Sequence, residues 1–338
     1  MTLMRRSITA ALLALWYPGL GGNGPALFLA RLLLLPLSLV YGVVVLLRGL
    51  LYDVGLLRAF DVGVPVVSVG SISVGGAGKT PLVIWLIERC RALGRTPVVV
   101  SRGYGAAGEG VTVIETGSRQ GADEALMVVA RTGCPVVTAA DRVAAGRTAI
   151  ERFAPDLIII DDGFQHRRMS RSVDLVLAPV PDERLLLPAG PLREPRRALG
   201  RAGLVVRTET RTIGLVASAS DPDSRAGAVA GLAGRRVLAV AGLARPEAFL
   251  ASVRDSGASE VLPLLFPDHQ VYGEREVGMI RRSAAACDLI VTTEKDLVKL
   301  EDADLGGSSV VALRVRSLPD AAEKLDELIA GLDRNRGH

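Results

Sequence analysis

VPVVSVGSISVGGAGKTPLVIWLIERCRALG, residues 64–94, decides the fold. Its opening run VPVVSVG (64–70) is apolar, β-branched and closed by a glycine, which predicts a buried strand. PLVIWLIERCRALG (81–94) returns apolar side chains at near-helical spacing (Leu82, Trp85, Leu86, Leu93) and ends on Gly94, a C-cap residue. Between strand and helix stands S-V-G-G-A-G-K-T (73–80). Glycines let the backbone curl so that successive N–H groups face phosphate oxygens, and the helix N-terminus adds partial positive charge. Ser73, Val74, Gly75, Gly76, Ala77, Gly78, Lys79 and Thr80 are therefore the candidate phosphate-binding residues. Lys79 reaches the β- and γ-phosphates of a bound nucleotide, and the Thr80 hydroxyl is a Mg²⁺ ligand. Ser73 stands where the strict pattern has its first glycine; the strand–loop–helix setting carries the reading.

Working outward, strands are expected at TPVVVS (96–101), VTVIE (111–115), PVVT (135–138), DLIII (156–160) and VDLVLA (173–178). Helices are expected around Asp123–Arg131 and near 141–153. Apolar strands alternating with helices predict a mainly parallel sheet covered on both faces. DLIIIDDGFQH (156–166) ends its strand in two carboxylates, the arrangement that sets oxygen ligands beside a nucleotide's Mg²⁺. Adjacent residues of an extended chain point to opposite sides, so Asp161 and Asp162 divide the work between metal and substrate. The stretch 179–200, with five prolines, reads as a long functional loop, and 208–236 as a linker around the strand IGLVAS. A second βα cycle runs from RRVLAVAG (235–242) through DLIVTT (288–293) and VVALRV (310–315) to a closing helix near 319–331.

Composition narrows the class. The chain has 338 residues, 49% of them hydrophobic, and a net charge of +4, which excludes a disordered chain. Three distant cysteines, Cys90, Cys134 and Cys287, build neither a disulfide scaffold nor a zinc finger. No basic run with interleaved aromatics points to nucleic acid. Only four cations are lysines (Lys79, Lys295, Lys299 and Lys324), so each stands out. Residues 26–51, ALFLARLLLLPLSLVYGVVVLLRGLL, hold sixteen uncharged residues between Arg31 and Arg48. A spanning helix takes about 20 apolar residues, and snorkelling arginines extend the reach. Pro36 makes a kinked hairpin in one leaflet the alternative. Either outcome associates this segment with a membrane; a buried core helix is the remaining alternative.

Seven blocks in one order carry a resemblance: VPVVSVGSISVGGAGKTP (64–81), SRGYG (101–105), DEALMVVARTG (123–133), DDGFQH (161–166), LLPAGPLREP (186–195), FPDH (266–269) and TTEKDLVKL (292–300). The chain resembles the lipid A disaccharide kinases, the tetraacyldisaccharide 4′-kinases of Gram-negative bacteria. The resemblance implies transfer of the γ-phosphate of ATP, with Mg²⁺, to the 4′-hydroxyl of a tetraacylated glucosamine disaccharide 1-phosphate in lipid A biosynthesis. It also implies attachment to the cytoplasmic face of the inner membrane through the N-terminal segment. By position, the family's general base falls on Asp123, flanked here by Ala122 and Ala125 in place of glycine and proline. The family's Phe-x-Asp-His-His block becomes Phe266-Pro267-Asp268-His269-Gln270, and the Asn of its Val-Gly-Asn block is Ser71. His269 then orients Asp123 or relays its proton. Arg102 and Arg193 are candidate clamps for anionic oxygens, because a guanidinium binds them bidentately. In TTEKD, Lys295 is a candidate to stack on adenine beside Thr293 or Asp296; the alternative makes Thr293 or Asp296 a helix cap.

The expected architecture is α/β: a membrane-associating helical segment (1–58), a P-loop NTPase-type kinase core (59–215), and a linker with a smaller C-terminal α/β lobe (216–338). The expected partners are the lipid A disaccharide 1-phosphate and the inner membrane surface, not nucleic acid, and the chain is expected to be a monomer. The rival reading is a membrane-associated P-loop GTPase or ATPase acting as a switch or delivery factor.

Overall fold

The computed structural model describes residues 15–16, 24–74, 78–103, 110–118, 120–181, 183–218, 225–227, 229–243, 246–268 and 270–332. The quoted stretch forms strand β1 (Val66–Ser71), buried at every position, and helix α2 (Lys79–Ala92). Around them lie β2 (Pro97–Ser101), β3 (Thr112–Ile114), α3 (Asp123–Thr132), β4 (Val136–Thr138), α4 (Arg142–Phe153), β5 (Leu157–Asp161), β6 (Val173–Leu177) and β7 (Leu204–Val206). The seven strands order as β3-β4-β2-β5-β1-β6-β7, parallel except for the β3–β4 pair.

The apolar runs follow from burial on two faces. Along β5, Leu157 and Ile159 pack with Val67, Val69 and the inner side of α2 and α3. Ile158 and Ile160 face the other way, onto Val66, Val98, Val100 and the small residues Ala145 and Ala149 of α4. With no solvent face, there is no polar alternation to read. Val69 pairs with Asp161 and Ser71 with Leu177, so the carboxyl ends of β1 and β5 stand side by side. In an open parallel sheet, that end is where ligands bind.

The second sheet contains β8 (Thr208–Val216), β9 (Arg225–Gly227), β10 (Arg236–Gly242), β11 (Glu260–Phe266), β12 (Leu289–Thr293) and β13 (Val310–Pro319). Its order is β11-β10-β12-β13-β8-β9, parallel as far as β13 and antiparallel beyond it. Helices α5 (Glu247–Asp255) and α6 (Glu274–Ala284) cover opposite faces. Helix α7 (Glu294–Leu300) follows β12 directly.

Two expectations need correction here. The linker reading fails at its opening: the expected strand IGLVAS is the end of a longer one, Thr208–Val216, paired with β13, so the second sheet starts ahead of the expected division at 216. Its Thr-Glu-Thr-Arg-Thr opening is polar, yet threonines suit a strand with one face open. The closing helix, α8 (Ala322–Gly331), also belongs elsewhere. Its Leu325 and Ile329 complete the core of the first sheet, and Asp326 takes a two-point ion pair from Arg89 of α2. The chain thus returns to its first sheet after building its second. Leu325→Ala is expected to cost about 2–5 kcal/mol, as for other buried leucine truncations, read as a lower denaturant midpoint. No change in midpoint would show that this helix is dispensable to the core.

Residues Pro25–Asp53 form one 29-residue helix, α1, that continues through Pro36, so the hairpin alternative does not form. The helix is long and apolar enough to cross a membrane. Phe28, Leu33 and Leu39 are about 70% exposed, whereas Ser38 and Gly42 are buried. The buried strip meets the proline-rich loop. Ser38 Oγ donates to Leu186 O (3.0 Å) and accepts from Ala189 N (3.0 Å), and a side chain at Gly42 would strike Leu186. Further along, Tyr41 donates to Arg193 O (2.9 Å) and Arg48 to Gln165 O (2.9 Å). One strip of α1 is therefore tied to the core, while much of its remaining apolar surface, including Leu29, Leu32, Val40 and Val44, is exposed.

Candidate active site

The first wall of the site is the mouth of the phosphate loop. Gly78 sits at φ +105°, a left-handed conformation that favours glycine, immediately before α2 begins at Lys79. Gly75, Gly76 and Ala77 lie outside the described residues. Ser73, the departure from the strict pattern, is buried, and its hydroxyl donates to the Glu183 carboxylate of the proline-rich loop. Its backbone bridges to Leu192, and Val74 N donates to Pro191 O (2.8 Å). A glycine would leave buried Glu183 without this donor; in this chain a serine ties the two loops together.

Beyond the end of β5, Asp162 is in the left-handed region (φ +54°) and presents its carboxylate to two cations. Lys79 Nζ lies 2.8 Å from Oδ1, while Arg193 Nη2 and Nη1 reach Oδ1 and Oδ2 at 2.8 and 2.9 Å. This fork is the charge-assisted geometry in which arginine excels. Burial alone would raise the Asp162 pKa, but the Arg193 and Lys79 contacts hold it well below the usual carboxylate range. The trio carries a net positive charge at the carboxyl edge of the sheet.

Asp161 has the opposite environment. It is 4% exposed, and its Oδ1 has no hydrogen-bond partner among the described residues. Burial, reinforced by the charge of Glu124, pushes its pKa up to about 7. A buried carboxylate oxygen without a donor fits a cation. Thr80, nearly buried at the start of α2, supplies a second hard oxygen nearby in sequence to the phosphate loop. Among the described residues no group of three His, Cys, Asp or Glu gathers as a metal cluster. Mg²⁺ at phosphate sites needs none, being held by one or two carboxylates and by the phosphates themselves.

The second wall lies where α3 of the first lobe meets α7 of the other. Asp123 opens α3, and Lys299 of α7 lies 2.6 Å from its Oδ2. Arg131, at the other end of α3, pairs with Glu294 (2.8 Å) and donates to Val315 O (2.6 Å). Glu294 also takes Arg314 at 3.1 Å. Every polar residue of the TTEKD block after its first threonine has a partner: Thr293 caps α7 by accepting from Asp296 N, Lys295 pairs with Asp268, and Asp296 accepts from Gly242 N at 2.9 Å. The capping alternative for Thr293 therefore holds, and Lys295 is committed to a carboxylate of its own lobe.

A model of the family described as tetraacyldisaccharide-1-P 4′-kinase matches residues 30–332. The chain belongs to this kinase family. A tetraacyldisaccharide 4′-kinase of Geobacter sulfurreducens is 40% identical, over 81% of this chain and 85% of its own length. One from Anaeromyxobacter sp. (strain Fw109-5) is 37% identical, over 94% of this chain and 96% of its own. Among solved structures, LpxK from Aquifex aeolicus, an "apo" form in complex with ATP, superposes with a TM-score of 0.75 and is 30% identical. The match covers 90% of this chain and 99% of that one.

Within the kinase family frame, the structure gathers Ser73, Lys79, Thr80, Asp161, Asp162 and Arg193 at one sheet edge. Arg102 is exposed just past β2, where its charge, with that of Arg142, adds to burial in driving the His166 pKa down to about 4. His269 lies outside the described residues; its neighbours Asp268 and Gln270 are held by Lys295 and Lys299. Sequence reasoning assigned no role to Glu183, His166 or Lys299. Two of the three stand inside quoted blocks or beside one, DDGFQH and TTEKDLVKL, and the scarcity of lysine was the available signal for Lys299.

Proposed function

We propose that this chain transfers the γ-phosphate of ATP to the 4′-hydroxyl of a tetraacylated glucosamine disaccharide 1-phosphate, the lipid A precursor. The observation that carries the reading is the pairing of Lys79 and Arg193 on Asp162 beside buried Asp161, whose Oδ1 has no hydrogen-bond partner among the described residues. That is a phosphoryl-transfer mouth: cations for the phosphates and a buried carboxylate for the metal. Thr80 and Asp161 hold Mg²⁺, which supplies charge neutralisation on the phosphate oxygens when bound.

Asp123 is the acceptor's base. It takes the proton of the 4′-hydroxyl as the new O–P bond forms, while the bridging P–O bond breaks and its electrons leave with ADP. Phosphoryl transfer leaves little covalent work to the protein, so positioning and charge stabilisation provide the acceleration. Lys79 contacts the travelling phosphoryl group, and Arg193, whose fork holds Asp162, adds its positive charge beside the anionic oxygens. Arg102 meets a phosphate of the lipid at the exposed rim, and His269 partners Asp123.

The exposed apolar side of α1 supports membrane attachment, which this reading places at the cytoplasmic surface of the inner membrane. Because Tyr41 and Ser38 bond the loop that delivers Arg193, the anchor and the site are mechanically continuous. A lipid acceptor can then keep its acyl chains in the bilayer while its headgroup enters. ADP release tests the reading: it is expected to require both the disaccharide 1-phosphate and ATP. Acceptor-independent hydrolysis with a preference for GTP would favour the switch or delivery reading.

A further inference from the structure

Lys299 sits where the two lobes meet, and its ammonium is enclosed. It lies 2.6 Å from Asp123 Oδ2 of the first lobe. From its own lobe it donates to Gln270 O (3.0 Å), stands 3.6 Å from Asp296 Oδ1 and lies over the Tyr272 ring at 5.8 Å. Asp296 is fully buried, and it is fixed by Gly242 N and the Thr293 hydroxyl. The lysine is thus held by three groups of the second lobe and presented to one carboxylate of the first.

We propose that Lys299 is a positioning residue for the transfer step, holding the Asp123 carboxylate at a fixed place across the lobe junction. The inference rests on the reading that Asp123 accepts the hydroxyl proton. Asp123 is the first residue of α3, and the Lys299 ammonium, anchored on the facing lobe, ties its carboxylate across the junction. Removing the ammonium also leaves Asp123 close to buried Asp296 with the intervening positive charge gone, and like charges move apart. The same lysine bonds the backbone of the Phe266–Tyr272 segment at Gln270, so both sides of the junction lose their tie together. The neighbouring ion pair of Arg131 with Glu294 keeps α3 seated on α7 without it. Lys299→Met is therefore expected to misplace one side chain rather than separate the lobes.

The test is steady-state kinetics of the full-length chain in detergent with Mg·ATP and disaccharide 1-phosphate. Lys299→Met is expected to lower kcat about 10²-fold, the scale of an ångström-level misplacement, with the KM for ATP close to wild type. Lys299→Arg, which keeps a cationic donor, is expected to recover most of the loss. In an Asp123→Asn background the Lys299→Met change is expected to cost nothing further, since the lysine acts through that carboxylate. Wild-type kcat in Lys299→Met, or losses that simply multiply in the double variant, overturns the positioning role. Full activity of Asp123→Asn alone would instead remove the base reading beneath it. If Lys299→Met does not fold, as judged by thermal melting, Lys299→Gln carries the same comparison, and the Arg variant decides whether the charge matters.

Discussion

Lys79→Ala is expected to lower kcat for lipid phosphorylation about 10²–10³-fold, equivalent to about 3–4 kcal/mol of lost transition-state stabilisation. Lys79 opens α2 with only part of its side chain exposed, and it shares Asp162 with Arg193. Because the guanidinium already occupies both oxygens of that carboxylate, Asp162 remains paired when the lysine is gone. The variant therefore keeps its fold and loses one cation at the phosphate mouth. The measurement is initial-rate kinetics at saturating ATP alongside a melting curve. An unchanged kcat would place the phosphates somewhere other than the loop at 73–80.

Asp123→Asn carries the second large effect. The amide is isosteric with the carboxylate and still accepts from Lys299, but it takes no proton from a hydroxyl. A loss of about 10²–10⁴-fold in kcat is expected, the ordinary contribution of a positioned base. Nucleotide affinity, measured by equilibrium binding, is expected to stay near wild type, because the Lys79–Asp162–Arg193 cluster is a separate set of residues. Equal loss of binding and turnover would assign Asp123 to nucleotide binding instead. The two variants together separate the phosphate wall of the cleft from the acceptor wall.

Much of this was legible from the chain. VPVVSVG and DLIII announce a parallel sheet because both of their faces are buried, and burial leaves an apolar run that cannot be mistaken for a half-exposed strand. The phosphate loop was readable because its chemistry is local: glycine, lysine and threonine act within one turn. Thr293 could be read as a cap for the same reason. What stayed hidden depends on residues distant in sequence. The Ser73–Glu183 bond joins positions 110 apart, and no local pattern marks a glutamate in a proline-rich loop as the reason a serine replaces a glycine. IGLVAS was legible as a strand, but its polar opening Thr208–Thr212 was hidden because a strand with an open polar face has the composition of a linker. Lys295 shows the same limit from the other side: the sequence placed it correctly after a strand, yet a partner in the adjacent loop, Asp268, decides where its charge is directed. The closing helix α8 was foreseen as a helix but not as part of the first core, since amphipathicity specifies a buried face and not its partner.

The most direct measurement of the central claim is the position of the transferred label. The full-length chain is incubated with γ-labelled ATP, Mg²⁺ and detergent-dispersed disaccharide 1-phosphate, in parallel with an acceptor lacking the 4′-hydroxyl. Label is predicted at the 4′ position of the first acceptor and none on the second. Label released only as free phosphate, at the same rate with either acceptor, would contradict the account.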